Sequence, residues 1–262
     1  MRFTILYGLL IQMVLFSHEN GHSLRALIVF DTSTPDIQVA SVADAARIKE
    51  ALKFAAGQAK LTFRPTILNA SNLTQRTFQK WLKGIHPKSG DVAFFYYAGR
   101  GSNRPHQKWP YIRLGAEKQI SEKTITRRIA SYKPDLAVVI FDCYNKLLTS
   151  QEGVDFSRVQ KVDISRYGSM PGFRNLFRKY KGWMMWSSGQ NVQNAYYLSQ
   201  PQPVGGFFTS NFLKGFFRYS QEPKVGWGKI ESCTRMSYFS AHINTPPPFD
   251  AHFTRLPSIG MR

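Results

Sequence analysis

Residues that are able to do chemistry follow two of the most apolar runs of the chain. Arg100 comes shortly after the run at residues 91–98, and Asp142 and Cys143 come directly after the run at residues 136–141. A cysteine thiol becomes a nucleophile when a neighbouring base or positive charge lowers its pKa. A guanidinium binds carboxylates and phosphates, and a carboxylate binds basic groups. These residue types therefore allow either thiol catalysis or the recognition of charged ligands.

The segments that must position these residues are predicted to be buried strands that alternate with amphipathic helices. Apolar runs without polar alternation, typical of parallel strands covered on both faces, lie at residues 25–31, 91–98, 136–141 and 183–187, and residues 63–68 are a further strand candidate that is weakened by Pro65. We expect a helix capped by Ser41 with Asp44 as its capping-box partner, one ending near Gly84, one capped by Ser121, and one following Gly205 and Gly206. This alternation predicts an α/β fold, in which sites lie at the carboxyl ends of strands. Residues 98–103 and 142–146 lie at two such ends.

The sequence at these two strand ends resembles the caspase-like cysteine peptidases, the group that includes caspases and metacaspases. Residues 91–101, DVAFFYYAGRG, are similar to a family motif of the Tyr-Tyr-Ser-Gly-His-Gly type, whose His is the general base. Residues 136–146, LAVVIFDCYNK, are similar to an Asp-x-Cys-x-Ser-Gly motif, whose Cys is the nucleophile. A first strand at residues 25–31 and a helix start at residues 205–209, GGFFT, extend the likeness over most of residues 24–220. The resemblance implies a mostly parallel, six-stranded sheet with helices on both faces.

The likeness breaks down at the residues that carry catalysis. Arg100 stands at the position of the general base, and a guanidinium stays protonated at any relevant pH. Tyr144 stands at the position of the nucleophile, where a phenol with a reference pKa of about 10 is not ionised near neutrality. Lys146 and Leu147 replace the Ser-Gly pair of the turn that forms the oxyanion hole. The sequence therefore predicts a pseudoenzyme without catalytic residues.

An active alternative uses Cys143 as the nucleophile. Cys143 lies directly before Tyr144, and His106, on the same loop as Arg100, would then be the base. A shift of one residue along a strand reverses the direction of the side chain, so that Cys143 would face the helix layer as a small buried hydrophobe. A bulge in the strand would turn it back towards the cleft. The sequence leaves both arrangements open.

Arg100 and Asp142 are also candidate binding residues. A guanidinium in a cleft at the strand ends suits an acidic peptide or another anionic ligand. In metacaspase-like members the aspartate at this position helps to hold a basic side chain, and the resemblance implies the same role for Asp142. Alternatively, Asp142 has a structural role and pairs with a neighbour such as Arg100.

The chain is strongly basic, and one basic cluster is interleaved with aromatic residues. Its 35 lysine and arginine residues outnumber its 16 acidic residues, and the net charge is +19. Such a surface attracts acidic proteins, anionic polymers, nucleic acid and acidic lipids. The cluster consists of Arg174, Arg178, Lys179 and Lys181. It is either a patch for nucleic acid or a membrane surface, or a solvated helix whose aromatic side packs on the core.

The chain is predicted to consist of a leader and one domain. Residues 1–23 have a positive start, an apolar run and a small, polar end, which is typical of a secretory signal peptide and implies a secreted or periplasmic protein. The remainder is expected to comprise residues 24–148 as a large-subunit-like region, 149–182 as a basic connecting segment, 183–245 as a small-subunit-like region of the same domain, and 246–262 as an extended tail. Cys143 and Cys233 can form a disulfide only if their Cα atoms lie close together. The sequence has no Walker loop, no GxGxxG and no zinc-ligand spacing, so no metal or nucleotide cofactor is predicted.

These features predict an exported caspase-like pseudopeptidase that binds an acidic protein or another anionic partner. Two alternatives remain open. One is an active caspase-like cysteine endopeptidase that uses Cys143, and the other is a general binding protein for anions, nucleic acid or membrane surfaces.

Overall fold

Eight strands form the main sheet, and six of them follow one another along a single hydrogen-bonded path. The computed structural model describes residues 21–33, 35–102, 109–115, 118–144, 146–147, 163, 166–189, 196–198, 205–240 and 249–255. The strands of the path are β1 (Ser23–Phe30), β2 (Thr62–Asn69), β3 (Val92–Ser102), β6 (Leu136–Tyr144), β8 (Tyr180–Ser187) and β11 (Phe249–Arg255). Their order is β11-β8-β6-β3-β1-β2; the pairs from β2 to β8 are parallel, whereas β11 is antiparallel to β8.

The remaining strands lie beside the ends of this path. An antiparallel hairpin of β4 (Tyr111–Leu114) and β5 (Lys118–Ser121) pairs with the end of β3 and completes the eight-stranded sheet. A separate small sheet contains β7 (Lys146–Leu147), β9 (Tyr196–Leu198) and β10 (Gly205–Gly206). The mostly parallel α/β fold is thus confirmed, but the expected count of six strands is not, because the β4–β5 hairpin adds two.

The described helices cover both faces of the main sheet. They are α1 (Pro35–Ala59), α2 (Gln75–Gly84), α3 (Glu122–Ala130), α4 (Gly172–Arg178), α5 (Phe207–Ser220) and α6 (Trp227–Ser240). One hydrophobic cluster joins the sheet to α1, α4, α5 and α6, and a second cluster joins the opposite face to α2 and α3. Because β3 and β6 lie between these layers, both of their side-chain rows are buried, which explains their continuous apolar sequences.

The structure differs from three expectations about local structure. Helix α1 begins at Pro35 and not at Ser41, so Ser41 and Asp44 lie inside the helix. Proline suits a first helical turn, where no intrahelical partner is needed for its missing N–H. Residues 172–182, expected within a surface connection, form α4 and the start of β8. The residues expected as a tail include β11, which is a strand of the main sheet.

Candidate functional site at the strand ends

The carboxyl ends of β3 and β6 lie side by side at the centre of the main sheet. In their parallel register Ala98 is the Cα partner of Asp142, and Arg100 is the Cα partner of Tyr144. Neighbouring strands of a sheet are about 4.8 Å apart, so the two positions that would carry a base and a nucleophile are adjacent in space. The fold therefore brings together the two segments that the sequence singled out.

Arg100 is anchored through its backbone to the end of β1. Its N–H donates to Asp31 Oδ2 at 3.2 Å, and its carbonyl oxygen accepts from the Tyr97 hydroxyl at 2.7 Å. Asp31 is itself buried, and its other oxygen accepts from the Ser71 hydroxyl at 3.0 Å and from the N–H of Ser33 at 2.8 Å. These bonds fix the backbone of Arg100 at the mouth of the strand ends, where its side chain is half-buried.

Asp142 faces the layer of α1 and α5 and is fully buried. Its Oδ2 accepts hydrogen bonds from the Thr209 hydroxyl at 2.6 Å and from the Thr209 N–H at 3.1 Å, in the first turn of α5. Among the described residues Oδ1 has no hydrogen-bond partner. Burial, and secondly the charge of Asp44, raise the pKa of Asp142 to about 8. The carboxyl is therefore largely protonated at neutral pH, and it ties β6 to α5.

Asp44, whose charge acts on Asp142, is itself paired with Arg47. Asp44 is fully buried, accepts the N–H of Gly206 at 2.6 Å, and forms an ion pair with Arg47 one turn further along α1. The Arg47 guanidinium also donates to the hydroxyl of Ser210 at 3.1 Å. Gly205 has a φ of 134°, and a Cβ added there would collide with this guanidinium. Arg47 thus occupies the space between α1, β10 and α5.

Cys143 points to the opposite face of the sheet. It is 4% exposed, and its Sγ donates to Glu122 Oε1 at 3.1 Å. The same oxygen accepts the hydroxyl of Ser187 at 3.1 Å, while the N–H of Cys143 donates to Ser188 at 2.9 Å. Burial raises the pKa of the Cys143 thiol well above its ordinary value, and the neighbouring Glu122 raises it further. Burial likewise raises the pKa of Glu122 well above its usual range, which favours the protonated carboxyl.

The close packing of Gly101 also excludes substrate from this thiol. A Cβ added at Gly101 would lie 2.5 Å from Cys143 Cβ and 3.1 Å from its Sγ. The backbone of β3 therefore covers the sulfur. The Cys143 side chain points towards the layer of α2 and α3, as expected for a residue one position before Tyr144 in the strand. His106, the candidate base, lies outside the described residues, as does the side chain of Tyr144.

The basic cluster on α4 and β8 is divided between surface and core. Arg174 and Lys181 are exposed, Arg178 and Lys179 are half-buried, and Lys181 lies 3.5 Å from Asp135. The aromatic residues between them, Phe173 and Phe177, are buried in the core. Cys143 and Cys233 are both free thiols.

Several residues of this site gave no recognisable signal in the sequence. Glu122 looks like an ordinary acidic residue in the first turn of a helix, and only the fold shows that it lies beneath Cys143. Arg47 likewise resembles a surface residue of an amphipathic helix. Thr209 belongs to the GGFFT segment, and nothing in this segment indicates that Thr209 binds Asp142. Ser187 and Ser188 follow the apolar part of β8, and their sequence gives no sign of their partners.

The described residues contain no group of three or more histidine, cysteine, aspartate or glutamate side chains arranged to hold a metal ion. Within the same residues no helix combines the length and the apolar character needed to cross a membrane.

Comparisons with known proteins relate the chain to others through its fold. No protein-family model matches it, and no curated protein matches it either. Among solved structures it is similar to protein GSU0716 from Geobacter sulfurreducens, with a TM-score of 0.51 and 14% sequence identity. The match covers 90% of this chain and 95% of that chain. Similarity at this identity concerns the architecture alone, and it supports one α/β fold over most of the chain.

Proposed function

We propose that this chain is a catalytically inactive, caspase-like protein that is exported and binds an acidic protein or another anionic partner. The observation that carries the proposal is the state of Cys143, whose thiol is buried, neutral and hydrogen-bonded to Glu122. A cysteine peptidase needs a thiolate that is open to the substrate. Cys143 has neither property.

The position opposite the expected nucleophile supports the same proposal. Arg100 is the Cα partner of Tyr144, as expected if these residues stand at the dyad positions of a caspase-like peptidase. A guanidinium cannot accept a proton from a nucleophile, whereas it can bind a carboxylate. Substitution of the base by arginine thus removes catalysis and leaves a group suited to recognising anions.

A binding role at the strand ends agrees with the charges found there. Asp142 is largely protonated, and Asp44 is neutralised by Arg47, so these buried acids do not oppose an anion. With a net charge of +19, the whole chain favours the approach of acidic partners. In this proposal the leader, which ends before β1 begins at Ser23, directs export, and the remainder functions outside the cytoplasm.

The first experiment measures the cleavage of a mixed peptide library by the chain without its leader and by its Cys143→Ala variant. Cys233→Ala is the matched control, because Cys233 lies on α6, away from the strand ends. We expect no cleavage by any of the three proteins. Cleavage by the parent and by Cys233→Ala that is lost in Cys143→Ala would contradict the proposal and identify Cys143 as the nucleophile.

A further inference from the structure

Helices α2 and α3 together present a cluster of exposed basic residues and no exposed acidic residue. Six basic residues project from them, and all six are exposed: Arg76, Lys80, Lys83, Lys123, Arg127 and Arg128. We call these six residues the α2–α3 face. The acidic residue on these two helices, Glu122, is fully buried and hydrogen-bonded to the Cys143 thiol, away from the exposed face. It therefore leaves the charge of the face uncompensated.

On α6, by contrast, basic residues form ion pairs with acidic residues. On α6, Arg235 pairs with Glu231 at 2.8 Å and Lys229 pairs with Glu222 at 2.6 Å. In the part of the chain that the structure describes, none of the six basic residues of the α2–α3 face is in an ion pair with another residue. Lys80 follows Arg76 by one helical turn, and Arg127 follows Lys123 in the same way, so like charges face each other on both helices. Such pairs destabilise an isolated helix.

A shallow groove runs over this face. It is lined by Arg127, Arg128, Thr124 and Ser131 on the α3 side and by Gln79 on α2. The lining thus offers two guanidinium groups together with hydroxyl and amide groups, which are donors for carboxylate oxygens. Phe78 and Ile125 beneath it are fully buried, which fixes the two helices on the sheet and holds the groove in shape.

The aromatic rings near the groove are engaged in other contacts. The ring of Tyr132 lies 5.0 Å from the ring of His86, and the Arg128 guanidinium lies 5.6 Å from the centre of the same tyrosine ring. Binding of single-stranded nucleic acid relies on open aromatic faces for stacking bases. Among the described residues no aromatic side chain lines the groove. The lining therefore favours carboxylate groups over stacked bases.

We infer that the α2–α3 face is the docking surface for a carboxylate-rich segment of an acidic protein. This inference rests on the proposed anion-binding role and adds a second surface for the acidic partner to the one at the strand ends. Arg127 and Arg128 bind carboxylates of the partner, and Thr124, Ser131 and Gln79 donate hydrogen bonds to it. The remaining cations of the face attract the acidic segment and orient it along the groove.

The test measures the affinity of the chain for a fluorescent oligoglutamate peptide at low salt. The first variant is Arg127→Gln with Arg128→Gln, and its matched control is Arg174→Gln with Arg218→Gln, which removes the same charge from α4 and α5. Arg100→Gln tests the strand ends. We expect the first variant to bind about fivefold to tenfold more weakly, because each exposed pair contributes modestly. The control is expected to change the affinity by less than about twofold, whereas Arg100→Gln should weaken binding independently of the first variant, because Arg100 belongs to the proposed anion-binding site at the strand ends.

Each other outcome has a definite meaning. Equal weakening in the first variant and in its control would overturn the docking surface, because net charge alone would then drive binding. Weakening in Arg100→Gln alone would move the site to the strand ends and leave the proposed anion-binding role intact. No binding by the parent would overturn both. A parallel titration with an oligothymidylate of equal charge overturns the assignment to an acidic protein if the first variant loses more affinity for it than for the peptide.

Discussion

The Cys143 thiol donates a hydrogen bond to Glu122 Oε1 at 3.1 Å, beneath the strand ends and on the face of the sheet away from Asp142. This bond joins β6 to the first turn of α3. It explains why a sequence that carries a cysteine next to the expected catalytic position still lacks an available thiol. It also makes Glu122 a buried carboxyl that the fold keeps protonated.

The Glu122 carboxyl contributes to stability through its hydrogen bonds and not through a charge. Glu122→Gln keeps the accepting oxygen and has no charge, so we expect it to change the free energy of unfolding by less than about 1 kcal/mol at pH 7. Glu122→Ala leaves the buried thiol of Cys143 and the hydroxyl of Ser187 without their shared acceptor, and is expected to destabilise by about 1–3 kcal/mol. Urea unfolding of the three proteins measures the difference. Equal destabilisation by both substitutions would show that Glu122 is ionised in the folded chain.

The burial of Cys143 predicts slow modification of its thiol. We expect the Cys233→Ala variant, which keeps Cys143, to react with iodoacetamide at least about a hundredfold more slowly when folded than in denaturant, since reaction requires opening of the β3–β6 region. The Cys143→Ala variant keeps the half-buried Cys233 and should show much less protection. Mass spectrometry over time follows both reactions. Rapid modification of folded Cys143 would place the thiol in an open cleft and favour the active alternative.

The elevated pKa of Asp142 predicts that its contribution to stability depends on pH. Its folded pKa is about 8, against an ordinary value of 3.8. Between these values the folded carboxyl stays protonated while the unfolded one is ionised, so the folded state binds more protons and loses stability as pH rises. An asparagine side chain at this position cannot titrate and resembles the protonated acid. We therefore expect Asp142→Asn to gain stability relative to the parent, by a few kcal/mol between about pH 4 and pH 8.

Urea unfolding of parent and variant at several pH values tests this expectation. Glu50→Gln is the control, because Glu50 is an exposed carboxylate on α1 and its side chain is 52% accessible. The stability difference between Asp142→Asn and the parent should grow with pH and level off above about pH 8, whereas the Glu50→Gln difference should stay nearly constant. A stability difference between Asp142→Asn and the parent that does not change with pH would contradict the expectation, because Asp142 would then have the same pKa in the folded and the unfolded chain.

Much of the central sheet was predictable because its signal is local. The runs that became β3 and β6 are apolar at every position, and their parallel pairing follows from the burial of both faces. The pairing of Cys143 with Glu122 was not predictable, since it depends on where α3 packs. Asp44 illustrates the same limit. It has the spacing of a capping-box residue after Ser41, yet the helix begins at Pro35, and Asp44 binds Gly206 far along the chain. Local spacing cannot reveal a partner that only the tertiary fold supplies.

Two glycine positions give predictions of opposite sign for the same substitution. Gly205 has a φ of 134°, which side chains rarely adopt, and an added Cβ would collide with the Arg47 guanidinium. Gly57 is exposed within α1, and an added Cβ there would meet nothing within 4 Å. We expect Gly205→Ala to destabilise by about 2 kcal/mol or more. Gly57→Ala should stabilise by about 0.5–1 kcal/mol, because alanine loses less conformational entropy in a helix.

The Arg47→Ala variant shows how much of the Gly205 effect comes from the guanidinium. Removing this side chain relieves one of the two collisions of the new Cβ, but it leaves the contact with Asp44 Oδ1 and the backbone strain at φ 134°. Gly205→Ala should therefore cost less in the Arg47→Ala background than in the parent but should remain destabilising, and thermal unfolding of the four proteins of this cycle measures the coupling. An unchanged cost in both backgrounds would show that the Arg47 guanidinium does not occupy the space beside Gly205.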